Sequence, residues 1–300
     1  MSLLVVGSIA LDDVTTPYGS VKEVLGGSAV YFSLSASFFT GVNLVGVVGN
    51  DFPKRHNKLL EKKGIDLQGL ERKDGKTFRW SGNYVGDMNI AHTNWVKLNV
   101  FERFTPSIPK AHKNSDYLFL ANIDPDIQMD LLRQARGARF LACDSMNHWI
   151  DSKKKSLIKL ISKVDLFFAN EKEAQSLTGE TNLKKAARAI TSFGPRMVVI
   201  KKGEHGAFLF VDNKIFASPA YLLDIVIDPT GAGDSFAGGF MGYMATPGRR
   251  KTLKELRKAV AYGTIMASFC VEGFSVAGFT RLNKRAIAKR FRDFSRMTHF

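Results

Sequence analysis

Short apolar runs alternate with helix-spaced segments along nearly the whole chain, and this alternation limits its fold most. Residues 3–6, 42–48, 117–121, 139–143, 165–169 and 197–200 read as strands. Between them, 29–39, 52–63, 128–136, 153–162 and 183–193 read as helices, and 253–270 and 283–294 add two more near the end. Such repetition predicts an α/β fold with a mostly parallel sheet and helices on both faces. Ligands of these sheets bind beyond the carboxyl ends of the strands. Asp12, Gly26, Gly27, Asp51, Asp144, Asn170, Glu173, Lys201 and Asp234 lie at or just past those ends.

Two pieces break the rhythm. Residues 14–25 mix Thr, Pro and Gly and read as strand and turn, and 75–104 is aromatic and turn-rich with no helical stripe. The latter reads as a small antiparallel insertion able to serve as a lid.

The chemistry concentrates in Ile227-Asp228-Pro229-Thr230-Gly231-Ala232-Gly233-Asp234-Ser235-Phe236-Ala237-Gly238-Gly239-Phe240. The apolar run 222–227 leading into it reads as a buried strand. Gly231 and Gly233 then flank Ala232, Asp234 follows, and Phe236, Phe240 and Met244 recur at helical spacing. A strand thus runs into a glycine turn and the turn into a helix N-terminus. Free N–H groups at such an end bind anions. Glycines let backbone approach a phosphate, and an acid there can take a proton from an attacking hydroxyl. A plainer reading makes this an αβ connection whose Asp234 serves only the helix dipole.

Composition removes several classes. With 300 residues, 45% hydrophobic, the chain can build one large α/β domain or two small ones. No apolar run approaches the ~20 residues of a membrane span. The first ten residues run straight into a strand, so no signal peptide and no membrane partner is expected, and the cytoplasm is the expected location. Cys143 and Cys270 stand far apart with no CxxC or HExxH, which argues against structural zinc or a disulfide framework. The net charge is +15, and residues 249–300 carry thirteen Lys/Arg against Glu255, Glu272 and Asp293. No nucleic-acid motif or aromatic platform accompanies them, so the tail reads as a solvated basic face and nucleic acid is not an expected partner. GxxxxGK[ST], GxGxxG and the HRD/DFG set are all absent.

Asp228 to Phe236 resembles the signature of the ribokinase/PfkB family of sugar and nucleoside kinases. Four further elements resemble the family's in the same order: Gly26-Gly27-Ser28-Ala29, Gly46-Val47-Val48-Gly49-Asn50-Asp51, Asn170-Glu171-Lys172-Glu173, and Lys202-Gly203-Glu204-His205-Gly206. The resemblance implies a ribokinase-like three-layer αβα core over residues 1–300 as a single domain, with β-lid segments at 12–25 and 73–103. It implies ATP-dependent transfer to a hydroxymethyl group, with Asp234 as general base and Gly231, Ala232 and Gly233 as the anion hole. Asn170 and Glu173 would hold Mg²⁺. Asn170, Lys201, Lys202, Gly203, Gly206, Thr230, Ala267 and Cys270 would lie on the nucleotide side, and Asp12, Gly26, Gly27 and Tyr31 on the acceptor side. Asp144 and Asn147 stand at a strand end facing the nucleotide. A monovalent-cation requirement and a homodimer through the lid are left open.

The chain departs from typical ribokinases at Tyr31, where they carry the ribose-contacting Asn. With Trp80, Tyr84 and Met88 in the lid stretch, this looks like the nucleoside-kinase-like members. Gly233-Asp234-Ser235 also resembles a GDSL-type hydrolase block with Ser235 as nucleophile and Asp293 and His299 as partners, and a non-catalytic binding relative is the third alternative.

Overall fold

The structure is a computed structural model that describes residues 2–298. In chain order the first elements are β1 (Leu3–Val6), β2 (Ala10–Thr16), β3 (Gly19–Gly26), α1 (Ser28–Ala36), β4 (Val42–Gly49), α2 (Lys54–Lys62), β5 (Ile65–Lys73), β6 (Phe78–Asn83), β7 (His92–Lys97) and β8 (Tyr117–Leu120). Then come α3 (Pro125–Gln134), β9 (Phe140–Cys143), α4 (Asn147–Ser152), α5 (Lys154–Ile161), β10 (Leu166–Asn170), α6 (Glu171–Thr178), α7 (Leu183–Ser192) and β11 (Met197–Lys201). β12 (Ala207–Val211), β13 (Lys214–Ser218), α8 (Ala232–Met244), α9 (Leu253–Cys270), α10 (Ala277–Thr280) and α11 (Lys284–Met297) complete it.

Nine strands form one sheet in the order β13-β12-β11-β10-β9-β8-β1-β4-β5. Every pairing from β11 to β5 is parallel, and β12 and β13 join antiparallel at one end. The strands are continuous apolar runs because both faces are covered. Leu3, Val5, Phe119 and Phe168 enter one core with α1, α8 and α9, while Leu4, Val6, Leu118 and Phe167 enter the other with α3, α5 and α7. This two-sided burial makes the three layers. On the first face Phe32 stacks on Phe119 with ring centroids 4.2 Å apart. There α8 comes so close to α1 that a Cβ on Gly238 would lie 2.3 Å from the Phe32 carbonyl oxygen.

A second, four-stranded sheet has the order β3-β2-β6-β7. Its outer pairs are antiparallel, but β2 and β6 run parallel, so the sheet is mixed rather than the antiparallel insertion expected. β2 and β3 form one hairpin, while β6, which pairs with β2, comes from a distant part of the chain. Asp51 ties the lid to its root. One carboxylate oxygen accepts the backbone N–H and the hydroxyl of Thr77, both at 2.7 Å, and the other accepts Arg79 at 3.0 Å. This places Asp51 outside the cleft that its strand-end position suggested.

One local expectation fails. Residues 222–227 are not a strand: they pair with nothing in the sheet, and Ile227 and Asp228 donate instead to the Val271 carbonyl at the end of α9. Leu222 and Ile225 are accordingly exposed. Gly27 caps α1 at φ +98°, and Ser28 turns its hydroxyl to Ser8. Helices α4 and α6 were not anticipated, being only six and eight residues long.

Candidate active site

The expected site residues meet at the carboxyl edge of the large sheet, under the lid. Gly231 caps α8 in the left-handed region at φ +75°. A side chain there is excluded twice, since a Cβ would also fall 2.3 Å from the Tyr31 ring. The Ala232 N–H is taken by the Pro229 carbonyl at 3.1 Å, so the hole is narrower than expected. Gly231 and Gly233 make no backbone hydrogen bond through their N–H groups among the described residues, and these remain for an anion.

Asp234 sits in the first turn of α8. Burial pushes its carboxyl up to about 6, against the opposing pull of Lys201. Lys201 ends β11, and a Cβ on Gly233 would lie 2.8 Å from its Nζ, so the ammonium stands over the glycine turn. The same ammonium acts on Asp144 and Glu173, both of which burial pushes upward. Three desolvated acids thus share one cation.

The NxxE element is a capping box. Asn170 Oδ1 accepts the Glu173 N–H at 2.8 Å and Glu173 Oε2 accepts the Asn170 N–H at 2.7 Å. This starts α6 and fixes both side chains at the end of β10. Among the described residues no group of three or more His, Cys, Asp or Glu side chains could hold a metal by itself. The surplus negative charge nonetheless suits a cation, and Asp144 Oδ1 is buried with no hydrogen-bond partner.

On the acceptor side, the Asp12 carboxylate lies on Gly26, whose Cβ would meet Oδ2 at 1.8 Å. Gly27 approaches the Ser8–Ile9 backbone too closely for any side chain. Burial pushes Asp12 up to about 8, helped first by Asp228 and then by Asp13 and Asp234. Its Oδ1 and the Tyr31 hydroxyl are both buried without partners. Tyr31, expected on the acceptor side, is 1% exposed and forms a floor beneath the turn.

Other expected residues have different work. Lys202 lies over the Phe208 ring at 5.5 Å, away from the turn. Gly203 and Gly206 shape the loop after β11 with φ +54° and +87°, and Gly203 packs against Asn89 from the lid. Cys270 is buried and donates to the Thr230 carbonyl at 3.5 Å, behind the turn. Ala267, one turn earlier on α9, is half-buried, and its carbonyl accepts the Val271 N–H. Trp80 covers Gly82 of its own sheet and donates to Thr93, so it belongs to the lid's packing.

Ser235 is fully buried in α8, which removes it as a reachable nucleophile. Asp293 is half-buried on α11, and His299 lies outside the described residues.

The sequence reading assigned no role to Asp228, Ser275 or Tyr84 individually. Asp228 is 1% exposed and accepts the N–H groups of Thr230 at 2.9 Å and Ser275 at 3.0 Å. Ser275 in turn donates its hydroxyl to the Leu25 carbonyl at 2.5 Å, joining this loop to the lid root. Asp228 stood inside the recognised signature, but nothing in the sequence marks Ser275, at φ +56°, as its partner.

A glycine turn at a helix N-terminus, an acid in the first turn of that helix and a cation above them, all under a β lid, form an arrangement of the αβα class suited to phosphoryl transfer. The model of the pfkB family carbohydrate kinases matches residues 3–280, and the chain belongs to that family. It is a kinase of sugar or nucleoside hydroxyl groups. The cytidine kinase of Thermococcus kodakarensis is 30% identical over 250 residues, covering 81% of this chain and 88% of that protein. The crystal structure of the Methanocaldococcus jannaschii nucleoside kinase aligns with a TM-score of 0.77 at 21% identity, covering 97% of this chain and 98% of that one. A Vibrio cholerae fructokinase with fructose, ADP and potassium bound aligns with a TM-score of 0.81 at 18% identity and the same coverage. No helix among the described residues is long and apolar enough to cross a membrane.

Proposed function

We propose that the chain transfers the γ-phosphoryl of ATP to the hydroxymethyl group of a nucleoside's ribose, with Asp234 as general base. The observation that carries the chemistry is the placement of Asp234 beside the Gly231–Gly233 turn with the Lys201 ammonium over Gly233. Held at about 6, Asp234 is ionised near pH 7.5 and basic enough to accept the hydroxyl proton as the new P–O bond forms. The free N–H groups of Gly231 and Gly233, with Lys201, face the charge that develops on the transferring phosphoryl. Asp12 accepts a hydrogen bond from an acceptor hydroxyl, and Tyr31 supports the turn from below. Asn170, Glu173 and Asp144 are the residues that would hold Mg²⁺, which would supply charge neutralisation for ATP.

The choice of a nucleoside over a free sugar rests on the cytidine kinase relative and on Tyr31 standing at the ribokinase Asn position. ADP release with Mg-ATP and a panel of cytidine, adenosine, inosine, ribose, fructose and myo-inositol tests it. A nucleoside should be the best acceptor, and turnover with ribose or fructose alone would reject the reading. Asp234→Asn should fold and bind ATP but lose activity by orders of magnitude. Retention of most activity would remove Asp234 as the base.

A further inference from the structure

The lid reaches the phosphate turn through a named side chain. Tyr84 directly follows β6, with its N–H on the Thr15 carbonyl at 2.9 Å, and it is 6% exposed. Its phenol oxygen lies 3.1 Å from the hydroxyl of Thr230. Five residues on, Asn89 donates to Glu204 and packs on Gly203. The loop after β6 therefore spans from the phosphate turn to the loop after β11.

Thr230 immediately precedes the cap of α8, and each of its polar groups is engaged. Its N–H goes to Asp228 at 2.9 Å and its carbonyl receives the Cys270 thiol at 3.5 Å. Both of those partners are buried beside the turn. Its hydroxyl meets the Asp228 carboxylate as well as Tyr84, and Tyr84 is its contact with the lid. Rotation of Thr230 would re-aim the N–H groups of Gly231 and Gly233, so the bond to Tyr84 links lid position to the geometry of the anion hole.

We propose that Tyr84 is a positioning residue for phosphoryl transfer: the lid brings its phenol onto Thr230, and that hydrogen bond holds the Gly231–Gly233 turn in its anion-binding geometry. The inference rests on the role proposed above for that turn. Tyr84 acts through Thr230 and does not touch the reacting atoms.

The test is a double-mutant cycle of Tyr84→Phe and Thr230→Val, run with whichever acceptor from the panel supports turnover. Loss of one neutral hydrogen bond predicts a fall in kcat of about tenfold in Tyr84→Phe, and Thr230→Val, which also loses its hydroxyl's bond to Asp228, should fall at least as far. In Tyr84→Phe the KM for acceptor and the Tm should stay near wild type, and the double variant should fall no further than Thr230→Val alone. Wild-type kcat in Tyr84→Phe, or losses that multiply in the double variant, would overturn the proposal. A raised acceptor KM at unchanged kcat would also overturn it, by making Tyr84 a substrate contact. Should Thr230→Val not fold, the kcat-against-KM split of Tyr84→Phe alone decides. Failure of nucleosides in the acceptor panel would reject only the substrate reading, because this cycle can use any acceptor that turns over.

Discussion

The ammonium of Lys201 stands directly over Gly233, 2.8 Å from where a Cβ on that glycine would be. The two residues are 32 positions apart in the chain but share one volume, and the glycine is what lets the lysine reach the turn. The same ammonium is the cation facing Asp144, Glu173 and Asp234.

Lys201→Met should therefore lower kcat by about two orders of magnitude, the scale of removing one preorganised donor. It should also change the pH profile. Lys201 lowers the Asp234 pKa, so the acid limb of kcat/KM, expected near pH 6 in the wild type, should move to higher pH. An unmoved limb would separate Lys201 from Asp234.

Glu173 has a capping duty and a proposed metal duty, which two substitutions separate. Glu173→Gln keeps an acceptor for the Asn170 N–H and should raise the Mg²⁺ requirement with little change in Tm. Glu173→Ala also breaks the capping box and should cost about 1 kcal/mol of stability. An unchanged Mg²⁺ titration in both variants would leave Glu173 as a cap alone.

Gly231→Ala meets the left-handed backbone and the Tyr31 ring together. The backbone conformation alone costs about 1–2 kcal/mol, and the ring contact adds to it. Thermal melting should show clear destabilisation, with kcat falling beyond what the loss of folded protein explains. The same change at Gly248, where a Cβ meets nothing within 4 Å, should cost only the backbone part.

Asp12 predicts a pH dependence of stability. Its folded pKa of about 8 exceeds the ordinary 3.8, so between those values the folded state binds more protons than the unfolded chain. Its contribution to stability must then fall as pH rises through that window. Asp12→Asn should flatten this decline, raising Tm most at pH 8–9. A melting profile that keeps its full slope in the variant would contradict the shift.

The alternation of apolar runs and helical segments sufficed for the parallel sheet, because each run is short and buried on both faces. Leu253–Cys270 was legible to the residue because its length leaves no strand alternative. The run 222–227 misled for the opposite reason. Apolar composition does not reveal whether a neighbouring strand is free to pair, and here the loop ends on the carbonyl of Val271 instead.

The sequence by itself determined the family, the glycine turn and the acid beside it, because those are local patterns of residue type and spacing. Only the tertiary structure decided that Lys201, and not Lys202, covers the turn. It alone showed Asp51 serving the lid root, and Tyr84 meeting Thr230 across 146 positions of chain. Those assignments depend on which side chains the layers bring to one edge of the sheet, a distance relation that linear spacing does not encode.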